Sequence, residues 1–215
     1  MIKKRTLKSL LLFAGLLFIG AAIGLFTSRF YSTADAPPEI SRLLWPNPKN
    51  IADFSMIDQD GDRFGVQNLN DKWSFLFFGY TYCPDVCPIT LTVLDQFYSG
   101  ITRAEDREQV QVIFVTIDPE RDTTSRLKEY LDFFEPEFIG LGGSIEQVNS
   151  LTEQIGITYL HHLPQADDNY LVDHTSSVFL LDPQARLVSI FSAPHTTDEF
   201  ASRFTDIRDF LSNYQ

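Results

Sequence analysis

Only two of the 215 residues are cysteine and only four are histidine, which confines thiol and imidazole chemistry to a few positions. Structural zinc usually takes four protein ligands, and no third cysteine is present to add to the pair. Basic residues are also scarce: 17 Lys and Arg stand against 29 Asp and Glu, for a net charge of -12. Lys3, Lys4, Arg5 and Lys8 all precede the first apolar run, and no acidic residue occurs before Asp35. The rest of the chain is therefore more acidic than the total, which argues against binding a nucleic-acid backbone. No Gly-x-Ser-x-Gly elbow is present to carry a serine triad. Gly140, Gly142 and Gly143 lack the lysine and the spacing of a phosphate loop. No internal repeat or low-complexity tract appears.

What is present begins with an uncharged run, Leu10 to Phe26, extended by Thr27 and Ser28. A stretch of about twenty such residues is long enough to cross a bilayer as a helix. Its basic flank predicts a single pass, with a cytoplasmic tail at 1–9, an anchor at 10–28 and everything beyond Arg29 exported. The rival is a cleaved signal peptide ending at Ala34-Asp35-Ala36, which the length of the run and the following Pro37 disfavour. A basic region so short, and poor in Arg and Ser, points to a bacterial cytoplasmic membrane and not to an organelle presequence. Residues 29–50, with Pro37, Pro38, Pro46 and Pro48, read as a tether. Residues 51–215 are then one domain, large enough to bury its own core.

Within that domain, Phe54 to Ile57 and Arg63 to Val66 flank Asp60-Gly61 as a hairpin. Trp73 to Tyr80 and Val110 to Ile117 are nearly continuous in apolar residues, as expected of strands covered on both faces. Helices are predicted from Pro88, with Ile89, Val93, Leu94 and Phe97 on one face, and after Thr123, with Leu127, Tyr130, Leu131 and Phe134. Phe138 to Leu141 reads as a short strand. Ser144 and Gln147 have capping-box spacing before a helix with Ile145, Val148, Leu151 and Ile155 inward. A hairpin, Val178 to Leu181 with Leu187 to Phe191, precedes a last helix carrying Phe200, Phe204, Ile207, Phe210 and Leu211. Such alternation predicts an α/β fold: a mixed central sheet flanked by helices, parallel at its centre and antiparallel at one edge. Ligands of such sheets sit beyond the carboxyl ends of the parallel strands. The loops holding the cysteines and Asp118 leave from those ends.

Both cysteines lie in Cys83-Pro84-Asp85-Val86-Cys87-Pro88. Four residues apart at a helix start, their Cα atoms are about 6 Å apart, compatible with a disulfide, with thiol exchange or with a shared metal ion. The helix N-terminus favours the thiolate, which both binds metal and attacks disulfides. Of the histidines, His174 is the best third ligand, placed before the last hairpin where it can reach across the sheet end. His161 and His162 are adjacent and point to opposite faces of an extended segment, and His195 reads as a surface residue. Asp118 and Asp122 read first as turn and helix-cap residues, and Asp173 as a group that orients His174. Two Cys and one His suit copper, particularly Cu(I), better than zinc.

At these residues the chain resembles the Sco/SenC family of membrane-tethered copper proteins. The resemblance runs from about Trp45 to the last helix and is carried by three ordered motifs: Phe77-Phe78-Gly79-Tyr80-Thr81-Tyr82-Cys83-Pro84-Asp85-Val86-Cys87-Pro88, Asp118-Pro119-Glu120-Arg121-Asp122-Thr123, and Val172-Asp173-His174-Thr175. It implies a thioredoxin-like fold in which Cys83, Cys87 and His174 bind one copper ion, Cu(I) or Cu(II); from their positions beside these residues, Asp173 and Asp118 are the candidates for support. It also implies a redox disulfide between Cys83 and Cys87. The implied task is to deliver copper to, or maintain the thiols of, the dinuclear copper site of cytochrome c oxidase subunit II or another exported cuproprotein. Tyr82 replaces a histidine that many relatives carry. An exported thiol-disulfide oxidoreductase or a redox sensor is the alternative.

Overall fold

The computed structural model describes residues 36–162 and 170–213. The predicted tail, anchor and first part of the tether lie outside them, and among the described residues no helix is long and apolar enough to cross a membrane. In chain order the elements are α1 (Pro38–Ser41), β1 (Lys49–Asn50), β2 (Ser55–Asp58), β3 (Arg63–Gly65), β4 (Trp73–Gly79), α2 (Val86–Ser99), α3 (Ala104–Glu108) and β5 (Val110–Thr116). There follow α4 (Thr124–Asp132), β6 (Ile139–Gly142), α5 (Ile145–Ile155), β7 (Tyr159–His161), β8 (Val172–His174), β9 (Val178–Leu181), β10 (Arg186–Phe191) and α6 (Thr197–Asn213).

Eight strands form one sheet in the order β1-β10-β9-β4-β5-β6-β2-β3, and β7 and β8 form a separate pair. β4 and β5 run parallel from Trp73↔Val110 to Gly79↔Thr116, and β6 continues the parallel centre. Every residue of β4 and β5 is buried, which explains why both read as unbroken apolar runs. On one face Phe75 meets Phe97 of α2 and Phe200 and Phe204 of α6. Two residues on, Phe77 meets Phe114, which meets Tyr130 of α4. α5 lies against β2.

Three expectations change. The sheet is antiparallel at both edges and not one, because the β2-β3 hairpin pairs with β6 and covers what would be an open edge of the parallel centre. The last part of the predicted tether belongs to the domain: Leu44 is buried, Trp45 N donates to the Val188 carbonyl at 2.6 Å, and β1 pairs with β10. Extended, proline-punctuated chain suits such an edge, where one side of the backbone needs no partner. In α2 the inward residues are Cys87, Thr90, Leu91, Leu94, Phe97 and Tyr98, while Ile89 is 57% exposed. The stripe at helical spacing starts from Cys87 itself, which turns Ile89 outward. Ile145 is likewise exposed at the first position of α5. The capping box of that helix forms as expected, with Ser144 N donating to Gln147 Oε1 at 2.8 Å.

Candidate metal centre

The cysteine loop leaves the carboxyl end of β4, and Cys83 N donates back to the Tyr80 carbonyl at 3.1 Å. Cys87 is the second residue of α2 and is fully buried, while Cys83 is 8% exposed. Pro88 follows within the first helical turn, whose N–H groups have no intrahelical partner to lose. Gly79 makes room for the inner sulfur: a Cβ there would sit 2.8 Å from Cys87 Sγ and 2.9 Å from Phe114. The loop is pinned from below by Asp122. That buried carboxylate accepts from Thr81 N at 3.0 Å, Thr81 Oγ1 at 2.6 Å and Thr116 Oγ1 at 2.6 Å. Burial pushes its carboxyl up, and the hydrogen bonds from Thr116 and Thr81 oppose that shift.

His174 ends β8 opposite Tyr159 of β7. Its Nδ1 lies 2.9 Å from the Thr175 carbonyl, which can only accept, so Nδ1 carries the proton and Nε2 keeps its lone pair. Nε2 faces Cys87 Sγ at 3.7 Å. The ring lies edge-on to Phe77 and Tyr80, with centroids 6.3 and 6.1 Å away. The two Sγ atoms and one imidazole nitrogen lie within 4.8 Å of one another, the one such group of three among the described residues, and both cysteines are free thiols. Bonds of about 2.0–2.3 Å to nitrogen and sulfur separate donors that share an ion by roughly 3.5–4 Å, so this set fits a single soft ion with little movement.

The two sulfurs share a proton. Cys83 is held down to about 4, first by the hydrogen bond from Cys87, which outweighs the cost of burial. Cys87 is pushed up by the same hydrogen bond to Cys83 and by burial. The first proton thus leaves the pair easily and the second does not. Burial also raises the Tyr80 phenol.

Other expected site residues lie elsewhere. Asp173 turns away from His174, and its Oδ2 accepts from His162 Nε2 at 2.8 Å, because adjacent residues on β8 point to opposite faces. The Thr175 carbonyl takes the orienting role instead. Asp118 does not reach the sulfurs; it accepts from Arg121 Nε and from Tyr170 Oη. Thr123 and not Asp122 caps α4, accepting from Arg126 N at 3.2 Å. His161 donates to the Ile117 carbonyl at 2.9 Å. His195 is half-buried and not superficial, donating to the Ser176 carbonyl at 2.7 Å with its ring against Phe200. Sequence reasoning missed Gly79, the supporting role of Asp122, and an aromatic wall of Tyr80, Tyr82 and Tyr170 around Arg121. Only the presence of Tyr80, Tyr82 and Arg121 in the first two motifs hints at that wall.

Comparison with known proteins agrees along most of this length. The SCO1/SenC family model matches residues 46–208. The SCO2-like protein RC0895 of Rickettsia conorii is 36% identical over 158 residues, covering 72% of this chain and 76% of its own. The crystal structure of Arabidopsis thaliana ScoI with copper bound matches with a TM-score of 0.66 at 35% identity, covering 74% of this chain and 98% of that one. Yeast Sco1 with copper bound matches with a TM-score of 0.70 at 28% identity, over 75% and 90% of the two chains. The mixed α/β, thioredoxin-like architecture is common to all three structures.

Proposed function

Since the chain belongs to the SCO1/SenC family, we propose that it is a membrane-anchored copper carrier whose ligands are Cys83, Cys87 and His174. One observation carries the reading: two thiols from one helix start and an imidazole with a free lone pair, from a distant strand, converge within 4.8 Å. The soft sulfur pair favours Cu(I), and the nitrogen allows Cu(II) to be held as well. An acceptor's thiolates would replace Cys83 and Cys87 in turn, and the dinuclear copper site of cytochrome c oxidase subunit II is the acceptor the family resemblance implies. The anchor at 10–28 would keep the domain on the outer face of a bacterial cytoplasmic membrane.

A second use of the same pair is favoured by the low proton affinity of Cys83. Its thiolate can attack an exported partner's disulfide; Cys87 then attacks the mixed disulfide, leaving the partner with two thiols and this chain with a Cys83–Cys87 disulfide. In that state neither sulfur can hold an ion, so cargo and disulfide exclude each other.

The test is an anaerobic Cu(I) titration of the protein in both redox states. The reduced form is expected to take one ion per chain and the disulfide form none. His174→Ala is expected to weaken binding about tenfold or more. Unchanged affinity in that variant, or tight binding by the disulfide form, would remove the proposed ligand set. For the anchor, the full chain is expected to stay with carbonate-washed membranes, and recovery of a soluble form beginning near Pro37 would refute it.

A further inference from the structure

We infer that Arg121 is the positioning residue that holds the strand of His174 against the cysteine loop, and thereby sets how firmly the third ligand is engaged. The inference rests on the copper-binding reading above. β8 stands outside the eight-stranded sheet, and among the described residues its one ladder partner is β7. Its place beside the thiols therefore depends on side chains, and those of Arg121 and its neighbours form a connected set. Arg121 Nε donates to Asp118, whose side chain is fully buried, and Nη2 donates to the Tyr170 carbonyl at 3.0 Å. The guanidinium carbon lies 3.6 Å from the ring centroid of Tyr170, 4.9 Å from that of Tyr82 and 5.7 Å from that of Tyr80. Tyr170 closes the circuit by donating its hydroxyl to Asp118 at 2.7 Å.

Tyr80 carries the connection on to the ligand. Its hydroxyl accepts from Val172 N at 3.3 Å, and its ring stands edge-on to His174. One cation thus joins the cysteine loop, the loop after β5 and the residues that lead into β8. Only a guanidinium does this, because it forks between two oxygens while its flat faces lie on aromatic rings, whereas an ammonium is a compact point charge. Loss of the fork should let β8 and its imidazole drift from the thiols without removing either sulfur.

Arg121→Lys tests this, since a cation remains to face buried Asp118 while the fork and the stacking are lost. Copper affinity of the reduced protein is expected to fall about tenfold or more, the range seen when groups supporting a metal ligand are removed. In a His174→Ala background the same change should have little effect, because no third ligand is left to place. Equal weakening in both backgrounds, or none in either, would overturn the inference. A copper-free measurement separates it from the ligand assignment: in the reduced, metal-free protein, NMR cross-relaxation between the Tyr80 and His174 rings is expected to be present and to disappear in Arg121→Lys. Survival of that contact in the variant overturns the inference whether or not copper binds. Its loss in a protein that fails to bind copper would count against the copper reading alone. Should Arg121→Lys not fold, Tyr170→Leu removes the closest ring and the hydroxyl to Asp118 and is held to the same outcomes.

Discussion

At the scale of single residues, the centre depends on one proton held between two sulfurs. Cys83, at about 4, is a thiolate across the neutral range, while Cys87 keeps its proton. Alkylation of the reduced protein should therefore modify one thiol per chain at a rate nearly independent of pH from about 5 to 8, whereas an ordinary thiol reacts about tenfold faster with each unit in that range. A steady rise toward a midpoint near 9 would show that the sharing does not occur. Stability follows with a definite sign. As pH rises from about 4 toward 9 the unfolded chain retains a proton that folded Cys83 has released, so the folded state gains stability relative to Cys83→Ser; above about 9 the unfolded cysteine is ionised too and the gain levels off. Urea melts of the two proteins at several pH values check this. The cysteines were conspicuous in the sequence, and His174 stood out by its neighbours. The Thr175 carbonyl that selects the imidazole tautomer could not be read there, because backbone hydrogen bonds leave no trace in residue type.

At the scale of elements, the centre exists because the ends of β4 and β5 are locked together. Asp122 →Ala would leave Thr81 N, Thr81 Oγ1 and Thr116 Oγ1 without their buried acceptor. A loss of about 2–4 kcal/mol is expected by chemical denaturation, with the isosteric Asn costing less. Loss below about 0.5 kcal/mol would mean that the loop is held by other means. Gly79→Ala drives a methyl into Cys87 Sγ and the Phe114 ring, and an overpacking cost of about 1–3 kcal/mol should accompany weaker copper binding. The two central strands and the Ser144–Gln147 box were legible because both patterns are local. The inward face of α2 was not, since the choice between Ile89 and Leu91 is made by where the buried Cys87 side chain must go. Likewise the pairing of β2 with β6 joins segments far apart in the chain, as in Ile57↔Gly142, which the hairpin's own residues do not encode.

At the scale of the molecule, the domain begins earlier than the composition of its leading segment indicates. Residues after Ala36 cover β10, bury Leu44 and place Trp45 in hydrogen-bonding reach of Val188. A chain starting at Ile51 should be about 2–4 kcal/mol less stable than one starting at Ala36, given about 1.5–3 kcal/mol for one buried leucine and the exposed strand edge it leaves. Equal stability would return those residues to the role of a free tether. Prolines hid this docking, because they mark extended chain equally well on a sheet edge and in a linker. Everything else in the molecule serves to bring three side chains from two distant segments to one place. X-ray absorption at the copper edge of the reduced, copper-loaded chain tests that directly: two sulfur neighbours at about 2.2–2.3 Å and one nitrogen at about 2.0 Å are expected, with the nitrogen lost in His174→Ala. A shell of oxygens, or a nitrogen that persists in that variant, would show that the ion sits somewhere other than between Cys83, Cys87 and His174.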